Sequence, residues 1–62
     1  MRMLERIRTN NLLKLYYDEG IKMSDWEVEF LESLSNKEDS YELSAKQLDK
    51  LNQIYKKYRS RA

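Results

Sequence analysis

The clearest pattern in the sequence is the recurrence of apolar residues at helical spacing in its second half. Beyond Ser44, five apolar side chains share one helical face and polar side chains take the other; the five are Leu48, Leu51, Ile54, Tyr55 and Tyr58. A similar stripe begins after residue 24, ends near Ser35, and consists of Trp26, Phe30, Leu31 and Leu34. The pattern predicts two amphipathic helices whose apolar faces, Trp26 included, meet in a shared core.

Both helices begin with the same local signal. Ser24 followed by Glu27, and Ser44 followed by Gln47, have the spacing of a capping box. In that motif each of the two side chains satisfies a backbone amide of the other residue. The residues between the helices, 35–42, are polar and lack periodicity, which predicts a surface loop.

The N-terminal stretch is apolar in nearly every direction if it is drawn as one straight helix. Such a helix must be buried on several sides, which a chain of 62 residues does not achieve alone. The Thr-Asn-Asn cluster at 9–11 consists of residues typical of helix caps. We therefore expect a short first turn near residues 2–8 and a helix over about 11–19, ended by Gly20 in the left-handed conformation. The predicted fold is all-α, a small three-helix bundle with a short extra N-terminal helical turn, in one domain spanning 1–62.

Composition narrows the chemistry available to the protein. The chain has no Cys, no His and no Pro, and its one Gly favours helices over a turn-rich β fold. Thiolate and imidazole metal sites are excluded, and the carboxylates lie on predicted solvent faces. We therefore predict a protein that is not an enzyme and that uses no metal or cofactor. No apolar run is long enough to cross a bilayer, so we expect no membrane contact and a cytoplasmic location, in the host cytoplasm if the chain is phage-encoded.

The net charge of +1 hides a strong division along the chain. Residues 1–17 carry a net +3, residues 18–42 a net −7 and residues 43–62 a net +5. The basic ends predict contact with nucleic-acid phosphates, whereas solubility and stabilisation of the last helix end are the alternative explanation. The candidate phosphate-binding residues are Lys46, Lys50, Lys56, Lys57, Arg59, Arg61, Arg2, Arg6 and Arg8.

The second and third predicted helices also resemble a known family. The residues concerned are Asp25-Trp26-Glu27, Phe30-Leu31, Leu34, Leu43-Ser44, Lys46-Gln47, Leu51, Ile54-Tyr55 and Lys57-Tyr58. They are similar to the small helical C-terminal accessory domain of the phage UvsW-type DNA helicase, over roughly residues 24–58. The resemblance implies a non-enzymatic helper of a helicase in DNA replication, recombination and repair. The phosphate-binding loop of the helicase itself is absent from the sequence, so no ATPase activity is expected.

Two functions follow from these observations. The first is an accessory module that binds DNA without sequence preference through its basic third helix, with a helicase or other replication protein as a further partner. The second is a protein-interaction adaptor or regulator without nucleic-acid binding, which forms a homodimer or docks onto a larger partner. Its candidate contact residues are Leu12, Leu13, Tyr16 and Tyr17, together with the acidic middle of the chain.

Overall fold

The protein is a bundle of three helices in which the first helix is central. The computed structural model describes residues 1–38 and 40–59. Within them the helices are α1 (Met3–Tyr17), α2 (Asp25–Ser35) and α3 (Ala45–Arg59). Helix α1 packs against both α2 and α3, in a molecule measuring 30 × 20 × 18 Å. The predicted all-α three-helix fold is confirmed.

The predicted break in the N-terminal helix is wrong, because α1 is continuous from Met3 to Tyr17. Thr9 belongs to the cluster at 9–11 that was expected to cap a new helix, but its hydroxyl donates to the Glu5 carbonyl at 2.8 Å, within the same helix. Thr9 is also fully buried. Its polar atom is therefore satisfied inside the helix, and no separate N-terminal turn forms.

The core is formed by residues from all three helices and from the N-terminus. Its buried members are Met1, Leu12, Leu31, Leu34, Leu51, Ile54 and Tyr58, with Phe30 and Tyr55 packed against them at the edge. The prediction that Trp26 belongs to the core is wrong, since 53% of its surface is exposed. The buried face of α2 contains Glu27 instead, which stands four and seven residues before Leu31 and Leu34. The core face thus keeps Leu31 and Leu34 but contains Glu27 in place of Trp26.

The predicted helix starts are confirmed at both serines. The Ser24 amide donates to Glu27 Oε1 at 2.9 Å, and the Ser44 amide donates to Gln47 Oε1 at 2.9 Å. The Gln47 amide donates to Ser44 Oγ at 3.2 Å, which completes the box at α3. Gly20 follows α1 with φ of 71°, the left-handed conformation that was expected there.

The described helices include none with the length and apolar character needed to cross a membrane.

Candidate nucleic-acid interface

The predicted basic surface is divided into two parts by the geometry of α3. Lys46, Lys50 and Lys57 are four and then seven residues apart, so they follow the side of α3 that faces α2. Lys56 and Arg59 are on the other side, where α3 meets α1. The eight predicted cations that lie among the described residues therefore do not form one continuous stripe.

The α1 side of α3 carries a shallow groove with a net positive lining. We call it the α1–α3 groove; its volume is about 320 Å³, and it is lined by Arg8, Asp49, Asn52, Tyr55, Lys56 and Arg59. A second depression of about 310 Å³ shares Tyr55 and Arg59 with the groove. Its lining adds one positive charge, on Lys14, and one negative charge, on Glu19. Three cations from opposite ends of the sequence thus meet around one surface, against the single carboxylate of Asp49.

Arg8 is the most firmly oriented cation of the α1–α3 groove. Its Nη1 donates to Asn52 Oδ1 at 2.7 Å, and its guanidinium lies 4.9 Å from the centre of the Tyr55 ring. Its Nε is buried and has no hydrogen-bond partner among the described residues. The side chain is held between α1 and α3 while part of its donor capacity stays unused.

Lys56 and Arg59 complete the groove with exposed charges. Neither forms an ion pair with a carboxylate in the described part of the chain, so their charges are open to an external anion. Asp49 accepts a hydrogen bond at 2.9 Å from Gln53, one turn further along α3. The groove therefore combines one positioned guanidinium with two exposed cations.

Several predicted phosphate contacts have other roles or positions in the fold. Arg6 donates to the Ser35 carbonyl at 3.0 Å and to the Lys37 carbonyl at 2.7 Å, and so holds the C-terminal end of α2. Arg2 lines a separate depression beside Glu5 and Glu42. These two arginines lie outside the α1–α3 groove, and Arg61 lies outside the described residues.

A buried carboxylate connects α2 to the end of α3, and it was not predicted from the sequence. Glu27 is only 2% exposed, yet its Oε1 accepts from the Tyr58 hydroxyl at 2.8 Å and from the Ser24 hydroxyl at 2.8 Å. The Lys57 ammonium lies 3.5 Å from Glu27 Oε2. The position of Glu27 on the same helical face as Leu31 and Leu34 was the signal that could have revealed its burial.

The hydrogen bonds of this network decide the ionisation of its members. Burial by itself raises the pKa of Glu27, but the bonds from Ser24 and Tyr58 and the charge of Lys57 outweigh it, and the net pKa lies below the usual value. Burial and the bond to Glu27 raise the pKa of Tyr58. The pKa of Lys57 is raised by its interactions with Tyr58 and Glu27. Glu27 is therefore an ionised carboxylate at neutral pH, and it partly balances the charge of Lys57.

The predicted protein-contact residues are only partly accessible. Leu12 has no exposed surface, so it belongs to the core, and the prediction that it contacts another protein is wrong. Leu13 and Tyr16 are half-buried, whereas Tyr17 is exposed and donates to Glu32 Oε2 at 2.9 Å. The exposed apolar surface of α1 lies nearer its start, at Met3, Leu4 and Ile7, which are 79%, 57% and 47% exposed.

In residues 1–38 and 40–59, no three acidic side chains gather closely enough to hold a metal ion. Comparisons of the chain with models of protein families, with curated proteins and with solved structures gave no match. The resemblance to the helicase accessory domain therefore stays a prediction.

Proposed function

We propose that this protein is a non-enzymatic nucleic-acid-binding module that contacts phosphates through the α1–α3 groove. The supporting observation is that Arg8 lines one surface together with Lys56 and Arg59, which follow it by more than forty residues in sequence. Two of these cations have no carboxylate partner among the described residues, and the third is held by Asn52 and Tyr55. In this proposal the groove contacts the sugar-phosphate backbone of the nucleic acid. Its lining carries charges and one aromatic ring, that of Tyr55, rather than a row of groups that could read bases. A helper role beside a helicase, as the resemblance implies, belongs to the same proposal.

The proposal is tested by fluorescence anisotropy with labelled oligonucleotides at several salt concentrations. Affinity should fall steeply between about 50 and 200 mM salt. The variant Lys56→Gln/Arg59→Gln should bind more weakly, and its salt slope should be shallower by about 0.7 for each single-strand phosphate that it no longer neutralises.

The matched control is Arg2→Gln/Lys22→Gln, which removes the same charge from exposed positions outside the groove. If the two variants lose affinity equally, the attraction is a property of net charge and the groove has no special role. Absence of binding by the unmodified protein at low salt would contradict the proposal altogether.

The second candidate function, a protein-interaction adaptor, is favoured by the apolar surface at Met3, Leu4 and Ile7. Large apolar side chains grouped on one exposed helix end are typical of a contact with another protein. Light scattering of the protein and of Leu4→Glu/Ile7→Glu separates the two functions. A dimer that persists at high salt and is lost in this variant supports the adaptor, whereas a monomer in both cases argues against self-association.

A further inference from the structure

The exposed tryptophan on α2 is the feature of the structure that the α1–α3 groove leaves unexplained. Trp26 is the one tryptophan of the sequence, and it is 53% exposed although it adjoins the core face of its helix. It lies over α3, where a shallow pocket of about 170 Å³ is lined by Trp26, Glu27, Gln53, Ile54 and Lys57. The neighbouring position, that of Glu27, is buried, yet the large aromatic side chain of Trp26 stays in water. Core packing therefore does not explain the position of this indole.

Two lysines of α3 lie near this indole. The Lys50 ammonium lies 5.7 Å from the centre of the Trp26 ring, and Lys57 lines the same pocket. Lys46 is one helical turn before Lys50 and follows the same side of α3. The carboxylate in the pocket, Glu27, is buried and already accepts three hydrogen bonds from Ser24 and Tyr58. The outer surface at Trp26 is therefore aromatic, with the ammonium of Lys50 beside the ring.

We infer that Trp26 is a stacking platform for an unpaired base, so that the nucleic acid bound by this protein is single-stranded. The inference rests on the proposed function and deepens it. In a duplex the faces of the bases are covered by their neighbours and do not reach an indole on a protein surface, whereas the bases of a single strand do. Lys46 and Lys50 would bind the phosphates on either side of the stacked base. Lys50 is exposed, so its ammonium can leave the Trp26 ring and bind a phosphate instead.

The two basic surfaces are compatible with one bound strand. They flank α3 on its two sides, and a helix with its side chains is about 10–12 Å across. A flexible strand that crosses the outer face of α3 would meet Lys56 and Arg59 on one side and Trp26 with Lys50 on the other. A rigid duplex does not follow this path, because its phosphates lie on a convex cylinder.

The experiment uses the fluorescence of Trp26 itself, since no other tryptophan contributes to the signal. A thymidine oligonucleotide and a duplex of equal length are titrated into the protein at low salt. The single strand should quench the indole emission, and the duplex should leave it nearly unchanged. Trp26→Ala should weaken single-strand binding roughly 5- to 150-fold, the range expected for loss of one base–aromatic stack, and should leave duplex affinity as it was.

Two variants separate stacking from general effects on the fold. Trp26→Phe keeps an aromatic face and should retain most of the affinity. Tyr17→Ala removes another exposed aromatic, one that lies beside Glu32 rather than beside lysines, and should bind like the unmodified protein. Far-UV circular dichroism checks that each variant is folded.

The outcomes distinguish this inference from the function on which it rests. Salt-dependent single-strand binding with no quenching and with unchanged affinity in Trp26→Ala would overturn the stacking role and leave the phosphate proposal in place. Equal quenching by the duplex would overturn the preference for single strands. If neither oligonucleotide binds, both the inference and the proposed function fail.

Discussion

Removal of the Tyr58 hydroxyl is the sharpest test of how this small core is held together. In Tyr58→Phe, Glu27 Oε1 loses the hydrogen bond that it accepts at 2.8 Å. Both side chains are 2% exposed, so water does not readily replace the missing donor. A hydrogen bond to a charged group contributes about 1.5–3 kcal/mol, and we expect a loss of about 2 kcal/mol in the free energy of unfolding.

That loss is large for a chain of this length. A domain of 62 residues has a total stability of about 3–9 kcal/mol. A change of 1 kcal/mol shifts the melting temperature of such a domain by about 4–8 °C, so Tyr58→Phe should melt about 8–16 °C lower. Urea unfolding followed by circular dichroism at neutral pH gives the free energy directly.

The matched control is Tyr41→Phe. The Tyr41 hydroxyl donates to the neutral amide oxygen of Gln47 at 2.9 Å, and the side chain is only half-buried. This variant should lose about 1 kcal/mol or less. In a Glu27→Gln background the cost of Tyr58→Phe should shrink toward that of the control, because the acceptor is then neutral. Equal costs for Tyr58→Phe and Tyr41→Phe would refute the reasoning that a buried charge depends on Tyr58.

Two further predictions concern the pH response and the turn after α1. The pKa of Glu27 is lowered from the usual 4.5, so its contribution to stability is complete above that pH and is lost as the pH falls through its lower folded-state value. Urea midpoints measured from about pH 6 down to pH 3 should fall, and the fall should be smaller in Glu27→Gln; identical pH profiles would contradict this. Gly20 has φ of 71°, and a methyl group on its Cα would meet no atom within 4 Å beyond its two chain neighbours, so Gly20→Ala should lose about 1 kcal/mol from backbone strain alone. Gly20→Asn should lose less in the same unfolding assay, and an equal or larger loss would point to a steric cause instead.

The features that the sequence predicted correctly are those that depend on neighbouring residues. The capping boxes at Ser24 and Ser44 form between residues three apart, and Gly20 adopts its left-handed conformation where the chain turns at the end of α1. These signals placed α2 and α3 closely, because local hydrogen bonds decide where a helix starts. The three-helix fold then followed from the amphipathic pattern of those two helices.

The continuity of α1 was not predictable from local signals. Thr9 is a good capping residue, but it also fits inside a helix when its hydroxyl bonds to a carbonyl four residues earlier, as it does to Glu5. Which arrangement forms depends on packing against α2 and α3, which covers Leu12 and leaves Met3 and Leu4 exposed. Of the predicted contact residues at the end of α1 only Tyr17 is exposed, and most of the exposed apolar surface of the helix lies at its start.

The distribution of the cations shows why charge in a sequence is a weak guide to a binding surface. Arg6 and Arg8 are two residues apart, yet Arg6 holds the end of α2 whereas Arg8 enters the α1–α3 groove. Lys56 and Lys57 are adjacent, yet of the two only Lys57 pairs with a carboxylate of the described residues, because Glu27 is buried where hydrophobicity would place Trp26. The exchange of Trp26 for Glu27 on the core face of α2 therefore has two consequences. It places a carboxylate in the core, where Tyr58 and Lys57 interact with it, and it leaves an indole in water beside Lys50.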